Sequence, residues 1–160
     1  MAKKQSINAR AKSVERKTQQ FLWPGTKFAG NAKRPALEDE DLRGDGADGW
    51  PLWGEVKNYS CETIGKRGAW VILAEAYQQC CEAIERNRQD WPKYQKCTYP
   101  NDRVDMQHGR PLPFSVLWPV GSSKDEQRLV MYEVMPGERM ILTLVQFKRL
   151  FIDRTTEADL

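Results

Sequence analysis

The sequence is poor in the residues and motifs that many common active sites need. Only one histidine, His108, occurs among the 160 residues. A site built on a histidine base or on several histidine metal ligands is therefore not expected. The sequence also lacks a Walker-type loop, a G-x-G-x-x-G fingerprint and a G-x-S-x-G elbow. These absences argue against nucleotide binding through a phosphate loop and against α/β-hydrolase chemistry.

Cysteine spacing and hydropathy exclude two further classes. The four cysteines, Cys61, Cys80, Cys81 and Cys97, form no C-x-x-C pair. This spacing disfavours a zinc site and predicts reduced thiols. There is no apolar run of about 18 residues, and no apolar segment follows the basic N-terminus, so neither a transmembrane helix nor a signal peptide is predicted. We expect a cytoplasmic protein of a bacterium or phage-infected cell, with no membrane partner.

Charge is distributed unevenly, although the formal net charge is only +3. Residues 1–20 carry six cations and one carboxylate, whereas residues 38–48 carry six carboxylates and one cation. A basic segment beside an acidic segment that offers carboxylates to a metal ion suits a phosphate-rich ligand. A solvated tail followed by an acidic loop would produce the same charge pattern.

Apolar periodicity predicts an α/β domain with one central mixed sheet flanked by helices. Helices are expected over residues 7–22, 64–87 and 144–152, and strands over 52–58, 113–120, 129–134 and 140–142. Thr143 and Gln146 fit a capping box at the last helix. Residues 26–50 are rich in glycine and proline and are expected to be mostly loop, with room for one short strand. We expect a single domain over 7–153 with a polar insertion at about 88–112, a basic disordered arm at 1–6 and a frayed tail at 154–160.

One short segment, Trp53-Gly54-Glu55-Val56-Lys57, carries the candidate chemistry. Side chains alternate along a strand, so Glu55 and Lys57 are expected on one face. Asp45 and Glu55 would hold a Mg²⁺ or Mn²⁺ ion, with the Val56 carbonyl as a backbone ligand. Lys57 would serve the attacking water or the developing charge, and Glu15 would approach from the first helix. The alternative is an ordinary charge pair on an exposed strand face.

Two pairs of cations are candidate nucleic-acid contacts. Lys66 and Arg67 are expected at the start of the long helix, where the helix dipole favours a phosphate. A solvated turn explains Lys66 and Arg67 equally well. Lys12 and Arg16 belong to the basic first helix and are expected to contact a nucleic-acid backbone.

The stretch from Arg43 to Asn58 resembles the PD-(D/E)xK phosphodiesterase superfamily, which has a restriction-endonuclease-like core. In that superfamily an Asp and a Glu-x-Lys triplet lie on two adjacent strands. The match implies that Asp45, Glu55 and Lys57 form the site, although Gly44 replaces the usual proline and Asp48 could replace Asp45. In the Holliday-junction-resolvase-like and phage endonuclease branches, a first helix contributes a Glu, which the segment around Glu15 resembles.

Those branches also carry a glutamine on the helix after the triplet. Tyr77-Gln78-Gln79-Cys80 is similar to that element, and we select Gln79 over Gln78 as the supporting residue. The resemblance implies a Mg²⁺-dependent endonuclease that cleaves DNA, including branched junctions, for which a symmetric homodimer is the expected assembly. Two alternatives stay open: a non-catalytic nucleic-acid-binding or assembly protein with the same fold, and a small protein-interaction domain.

Overall fold

A computed structural model describes residues 7–25, 42–47, 49–91 and 110–153. It contains five strands and four α-helices within those ranges. The strands are β1 (Leu42–Asp45), β2 (Pro51–Lys57), β3 (Leu112–Leu117), β4 (Leu129–Met135) and β5 (Glu138–Thr143). The helices are α1 (Ile7–Leu22), α2 (Cys61–Arg67), α3 (Ala69–Arg86) and α4 (Leu144–Phe147), which continues as a π-helical turn over Lys148–Ile152.

The strands form one mixed sheet in the order β1-β2-β3-β4-β5. The strands β2 and β3 are parallel and are connected through α2 and α3, whereas the other neighbouring pairs are antiparallel. A parallel pair needs such a crossover, because a tight turn can join only antiparallel strands. The predicted α/β architecture with a mixed sheet flanked by helices is therefore confirmed.

Each face of the sheet has its own apolar core. One face packs against α3, where Leu73 and Tyr77 meet Leu117 and Met131. The other packs against α1 and α4, where Phe114 contacts Phe147 at 4.9 Å between ring centroids. The sheet separates these two cores because successive side chains of a strand point to opposite faces.

Most predicted elements lie where the sequence pattern indicates, with two differences. The predicted helix over 64–87 is two helices, because Gly68 adopts a φ of 89° that ends α2 before α3 begins. The strand β1 lies in the segment expected to be mostly loop. The capping box of Thr143 and Gln146 is confirmed. The arm at 1–6, the tail at 154–160 and residues 92–109 of the insertion lie outside the described residues.

Candidate functional site

Glu55 and Lys57 lie side by side on the second strand of the sheet. Their side chains share one face, and Glu55 Oε1 lies 3.8 Å from Lys57 Nζ. The Glu55 side chain is 13% exposed and that of Lys57 is 22% exposed, while Glu55 Oε2 is fully buried. The prediction that the two residues share a face is confirmed. Because both side chains are mostly shielded from solvent, the pair differs from an ordinary charge pair on an exposed strand face.

The packing of β2 fixes the position of this pair. Glu55 faces Ser115 of β3, and Ser115 Oγ donates a 2.8 Å hydrogen bond to the Leu73 carbonyl of α3. Two residues earlier, the Trp53 carbonyl accepts a hydrogen bond from Cys80 Sγ of the same helix. Glu55 and Lys57 therefore point to the face that α3 covers, on a strand that is anchored to that helix.

The Val56 carbonyl points to the edge of β2 where β1 begins. The Lys57 carbonyl accepts a 2.8 Å hydrogen bond from the Trp118 N–H on the β3 side. Successive carbonyls of a strand point to opposite edges, so the Val56 carbonyl faces the β1 side. The first residue of β1, Leu42, pairs with Gly54. The Val56 carbonyl therefore lies at the β1 edge of the strand, whereas the Glu55 carboxylate lies on the face that α3 covers.

The register does not bring Asp45 and Glu55 together. Asp45 pairs with Pro51, four residues before Glu55 on the neighbouring strand. At about 3.3 Å per residue along a strand and about 5 Å between strands, their Cα atoms lie about 14 Å apart. Both side chains point to the α3 face, but one metal ion cannot be bound by both at that separation. The predicted Asp45–Glu55 bridge is therefore not supported.

Asp45 is held at the opposite end of the hairpin by the turn and by α1. It is the last residue of β1, and the turn closes directly after it with a 2.7 Å hydrogen bond from Gly46 N–H to the Trp50 carbonyl. Trp23 Nε1 donates a 2.8 Å hydrogen bond to the Asp45 carbonyl. Asp45 is exposed at its outer side, but desolvation by the neighbouring residues raises the pKa of its carboxyl. The alternative ligand, Asp48, lies outside the described residues.

Glu15 lies on the part of α1 that is level with Glu55. Gln19 accepts a hydrogen bond from Arg43 N–H and donates one to the Arg43 carbonyl, and Arg43 pairs with Trp53. One helical turn rises about 5.4 Å and two strand residues about 6.6 Å. Because α1 and β1 run in the same direction, Glu15 is level with Glu55, one turn before Gln19. However, α1 packs on the face of the sheet opposite to the one that Glu55 and Lys57 point to, so the approach of Glu15 to the site stays a prediction.

Gln78 and Gln79 lie on the solvent side of α3. Both are exposed, and Gln78 Nε2 donates a hydrogen bond to Glu82 Oε1 on the same helix. The neighbours Tyr77 and Cys80 are buried and face the sheet. The structure therefore orients Gln79 away from Glu55, and its supporting role stays a prediction from the resemblance alone.

The four predicted phosphate contacts differ in their surroundings. Lys66 and Arg67 are in the last turn of α2 and directly precede Gly68, the N-cap of the long helix α3, so they lie beside the start of that helix as expected. Lys66 pairs with Glu62 of α2 at 3.1 Å, and Arg67 pairs with a carboxylate of α3. These partners already neutralise the two cations. Lys12 and Arg16 are exposed on α1.

The fold brings together three cations that the sequence patterns above did not single out. Arg10 and Lys17 of α1 and Arg128, just before β4, line one surface cavity. Arg10 and Lys17 are seven positions apart, which is about two helical turns, so they share a helix face. That spacing was a readable signal, whereas the approach of Arg128 depends on the tertiary fold.

The described residues do not assemble a metal site of the predicted kind. Within them, no group of three or more histidine, cysteine, aspartate or glutamate side chains gathers to hold a metal ion. Glu55 and the Val56 carbonyl are hard oxygen ligands, the kind that Mg²⁺ and Mn²⁺ prefer. A further carboxylate is needed to complete a site of the predicted kind.

Comparison with protein-family models, curated proteins and solved structures found no match. The resemblance to PD-(D/E)xK enzymes therefore rests on the residues quoted above. No helix within the described ranges is both long and apolar enough to cross a bilayer.

Proposed function

We propose that this protein is a metal-dependent endonuclease of restriction-endonuclease-like fold that hydrolyses DNA phosphodiester bonds. The observation that supports it most is the Glu55–Lys57 pair, with its 3.8 Å separation and partial burial on a central strand. Phosphodiester hydrolysis needs a carboxylate to bind the metal and a cation near the attacking water or the developing charge. The two residues supply one of each on a rigid strand.

In this proposal Glu55 and the Val56 carbonyl hold a Mg²⁺ or Mn²⁺ ion. The bound ion supplies Lewis-acid assistance to the phosphate. Lys57 orients the attacking water or stabilises negative charge at the phosphate. Glu15 is level with Glu55, but α1 packs on the opposite face of the sheet, so Glu15 would support the site only by reaching around the edge of β1.

A second carboxylate is required, and its expected source is the acidic run Glu38 to Asp41. Asp41 directly precedes Leu42 in the sequence, and Leu42 is the β1 residue that pairs with Gly54, next to Glu55. Asp41 itself lies outside the described residues. The second ligand is therefore identified by experiment, by comparing the cleavage activity of the matched variants Asp41→Asn and Asp45→Asn.

The alternative function is nucleic-acid binding without catalysis. It is favoured by the finding that the described residues gather no complete set of metal ligands. Under this alternative, Glu55 and Lys57 form a structural ion pair. The two functions share DNA as partner and differ in whether the phosphodiester bond is cut.

The decisive experiment is a cleavage assay on linear, flapped and four-way-junction DNA. Wild type is compared with Glu55→Gln, Lys57→Met, Asp41→Asn and Asp45→Asn in Mg²⁺, Mn²⁺ and EDTA. We expect metal-dependent cutting that Glu55→Gln abolishes and that Lys57→Met slows by about 10²-fold or more, as when a group that stabilises the transition state is removed. Asp41→Asn is expected to act like Glu55→Gln, whereas Asp45→Asn keeps activity.

Each outcome assigns a function. Cutting that survives both Glu55→Gln and Lys57→Met would come from a contaminant or another site, and would refute the proposed site. Binding of the same DNA without cutting by wild type would establish the non-catalytic alternative. The best substrate in the panel identifies whether branched junctions are preferred.

A further inference from the structure

A basic cavity lies at the ends of β2 and β3, on the side of the sheet that α1 covers. Its volume is about 450 Å³. Arg10 and Lys17 contribute from α1, Asn58 from the residue after β2, and Arg128 from the residue before β4. Asn58 directly follows Lys57 in the sequence, but the cavity opens on the α1 face of the sheet, whereas Glu55 and Lys57 point to the α3 face.

The lining of this cavity is cationic. Among the described residues that line it, three are arginine or lysine and none carries a carboxylate. In the parts of the chain that the structure describes, neither Arg10 nor Lys17 has a carboxylate within 4 Å. Three like charges around one cavity repel one another, and a bound anion relieves that repulsion. The cavity is therefore suited to an anionic ligand.

Arg128 is held in place before any ligand binds. Its guanidinium stacks over the Trp118 ring at 4.0 Å from the centroid, and Nη2 donates a 2.8 Å hydrogen bond to the Ser122 carbonyl. Its Nε atom is buried and donates to no acceptor within the described residues. Because the stacking on Trp118 and the hydrogen bond to Ser122 fix the guanidinium in the cavity wall, an anion in the cavity meets a preorganised cation.

The surrounding donors favour a phosphate group over a simple carboxylate. Neutral polar side chains of Ser13, Asn58 and Ser122 also line the cavity. A phosphate carries several acceptor oxygens and binds best where a fixed guanidinium and further cations converge. We propose that this cavity binds a phosphate group of the nucleic-acid backbone outside the cleavage position. This inference takes its ligand class from the proposed function and adds Arg10, Lys17 and Arg128 as the contacts.

The test measures DNA binding in EDTA, so that cleavage does not contribute. Wild type, Arg10→Gln/Lys17→Gln and Arg128→Gln are titrated against fluorescent duplex and single-stranded DNA between 50 and 200 mM salt. The matched control is Arg149→Gln, which removes an exposed cation outside the cavity. Thermal unfolding checks that each variant is folded. If Arg128→Gln disturbs the Trp118 packing, the Arg10→Gln/Lys17→Gln variant still tests the proposal.

We expect the slope of log K against log salt concentration to decrease in magnitude by about one for each phosphate-contacting charge removed. For one charge this corresponds to about 3.5-fold less weakening over the fourfold rise in salt. The Arg149→Gln control is expected to bind like wild type. Equal affinity and equal salt dependence for wild type and the double variant would overturn the proposal.

Two further arms separate the phosphate source and the two proposals. Inorganic phosphate at millimolar concentration is titrated alone; if it binds while DNA does not, the nucleic-acid assignment is wrong. If wild type binds DNA through these cations but cuts no substrate, the cavity stands and the nuclease proposal fails. If wild type cuts DNA and the cavity variants bind unchanged, the cavity proposal fails and the nuclease proposal stands.

Discussion

Replacing Gly54 by alanine should destabilise the fold, because no space exists for a side chain there. An ideal Cβ at this position would lie closer than 3.0 Å to three ring atoms of Phe114. The Phe114 ring is fully buried and packs on Phe147 at 4.9 Å and on Trp23 at 6.2 Å between ring centroids. The ring cannot move without disturbing this cluster.

The expected cost follows from overpacking a dense core. Forcing one extra carbon into a well-packed interior costs about 1–3 kcal/mol, and the close approach at Gly54 points to the upper half of that range. Alanine recovers about 0.5–1 kcal/mol of backbone entropy, which leaves a net loss of about 1–2 kcal/mol. With a urea m-value of about 2 kcal/mol/M, the unfolding midpoint should fall by about 0.5–1 M.

The same substitution at Gly65 supplies the control, because nothing lies within 4 Å of its ideal Cβ. Gly65 is in α2 and exposed, so Gly65→Ala should stabilise by about 0.5–1 kcal/mol. Adding Phe114→Leu to Gly54→Ala should cost less than the sum of the two single changes. A Gly54→Ala protein as stable as wild type, or additive losses in the double variant, would refute the packing described between β2 and β3.

Two further substitutions and one labelling experiment test other parts of the fold. Thr143→Ala removes the capping box, and thermal unfolding should show a loss of about 1 kcal/mol; an unchanged midpoint would contradict the cap. Because desolvation raises the pKa of Asp45 in the folded state, its ionised form opposes folding above that pKa, so Asp45→Asn should stabilise at neutral pH. That gain should shrink as pH falls through the raised pKa and vanish below the ordinary value of 3.8, and a gain independent of pH would exclude titration as its cause. Thiol labelling, read by mass spectrometry, should modify exposed Cys61 and spare buried Cys80; equal rates would argue against the packing of α3.

The helices and most strands could be predicted because their signals are local. The apolar spacing of α1 and the Thr143–Gln146 capping box depend on residues a few positions apart. The break between α2 and α3 was harder to read, because Gly65 and Gly68 both occur there and only Gly68 adopts a positive φ. Nothing in the sequence alone distinguishes a tolerated helical glycine from one that ends a helix.

The strand β1 was only weakly signalled because it is four residues long and carries two polar residues and a glycine. Its stability comes from partners distant in sequence. Gln19 of α1 bonds to both backbone groups of Arg43, and Trp23 packs against Gly44. Those contacts exist only once α1 lies along the sheet edge, so local propensity could not reveal the strand.

At the candidate site, sequence spacing suggests that Asp45 and Glu55 meet, whereas the strand register keeps them apart. In an antiparallel hairpin, each step back along one strand is matched by a step forward along the other. Since Asp45 pairs with Pro51, moving forward to Glu55 requires moving back beyond Leu42, the first described residue of β1. A carboxylate ten positions before Glu55 is therefore too close to the turn to meet it. The turn length sets this register, which places Asp45 beside the turn and Glu55 four residues further along β2.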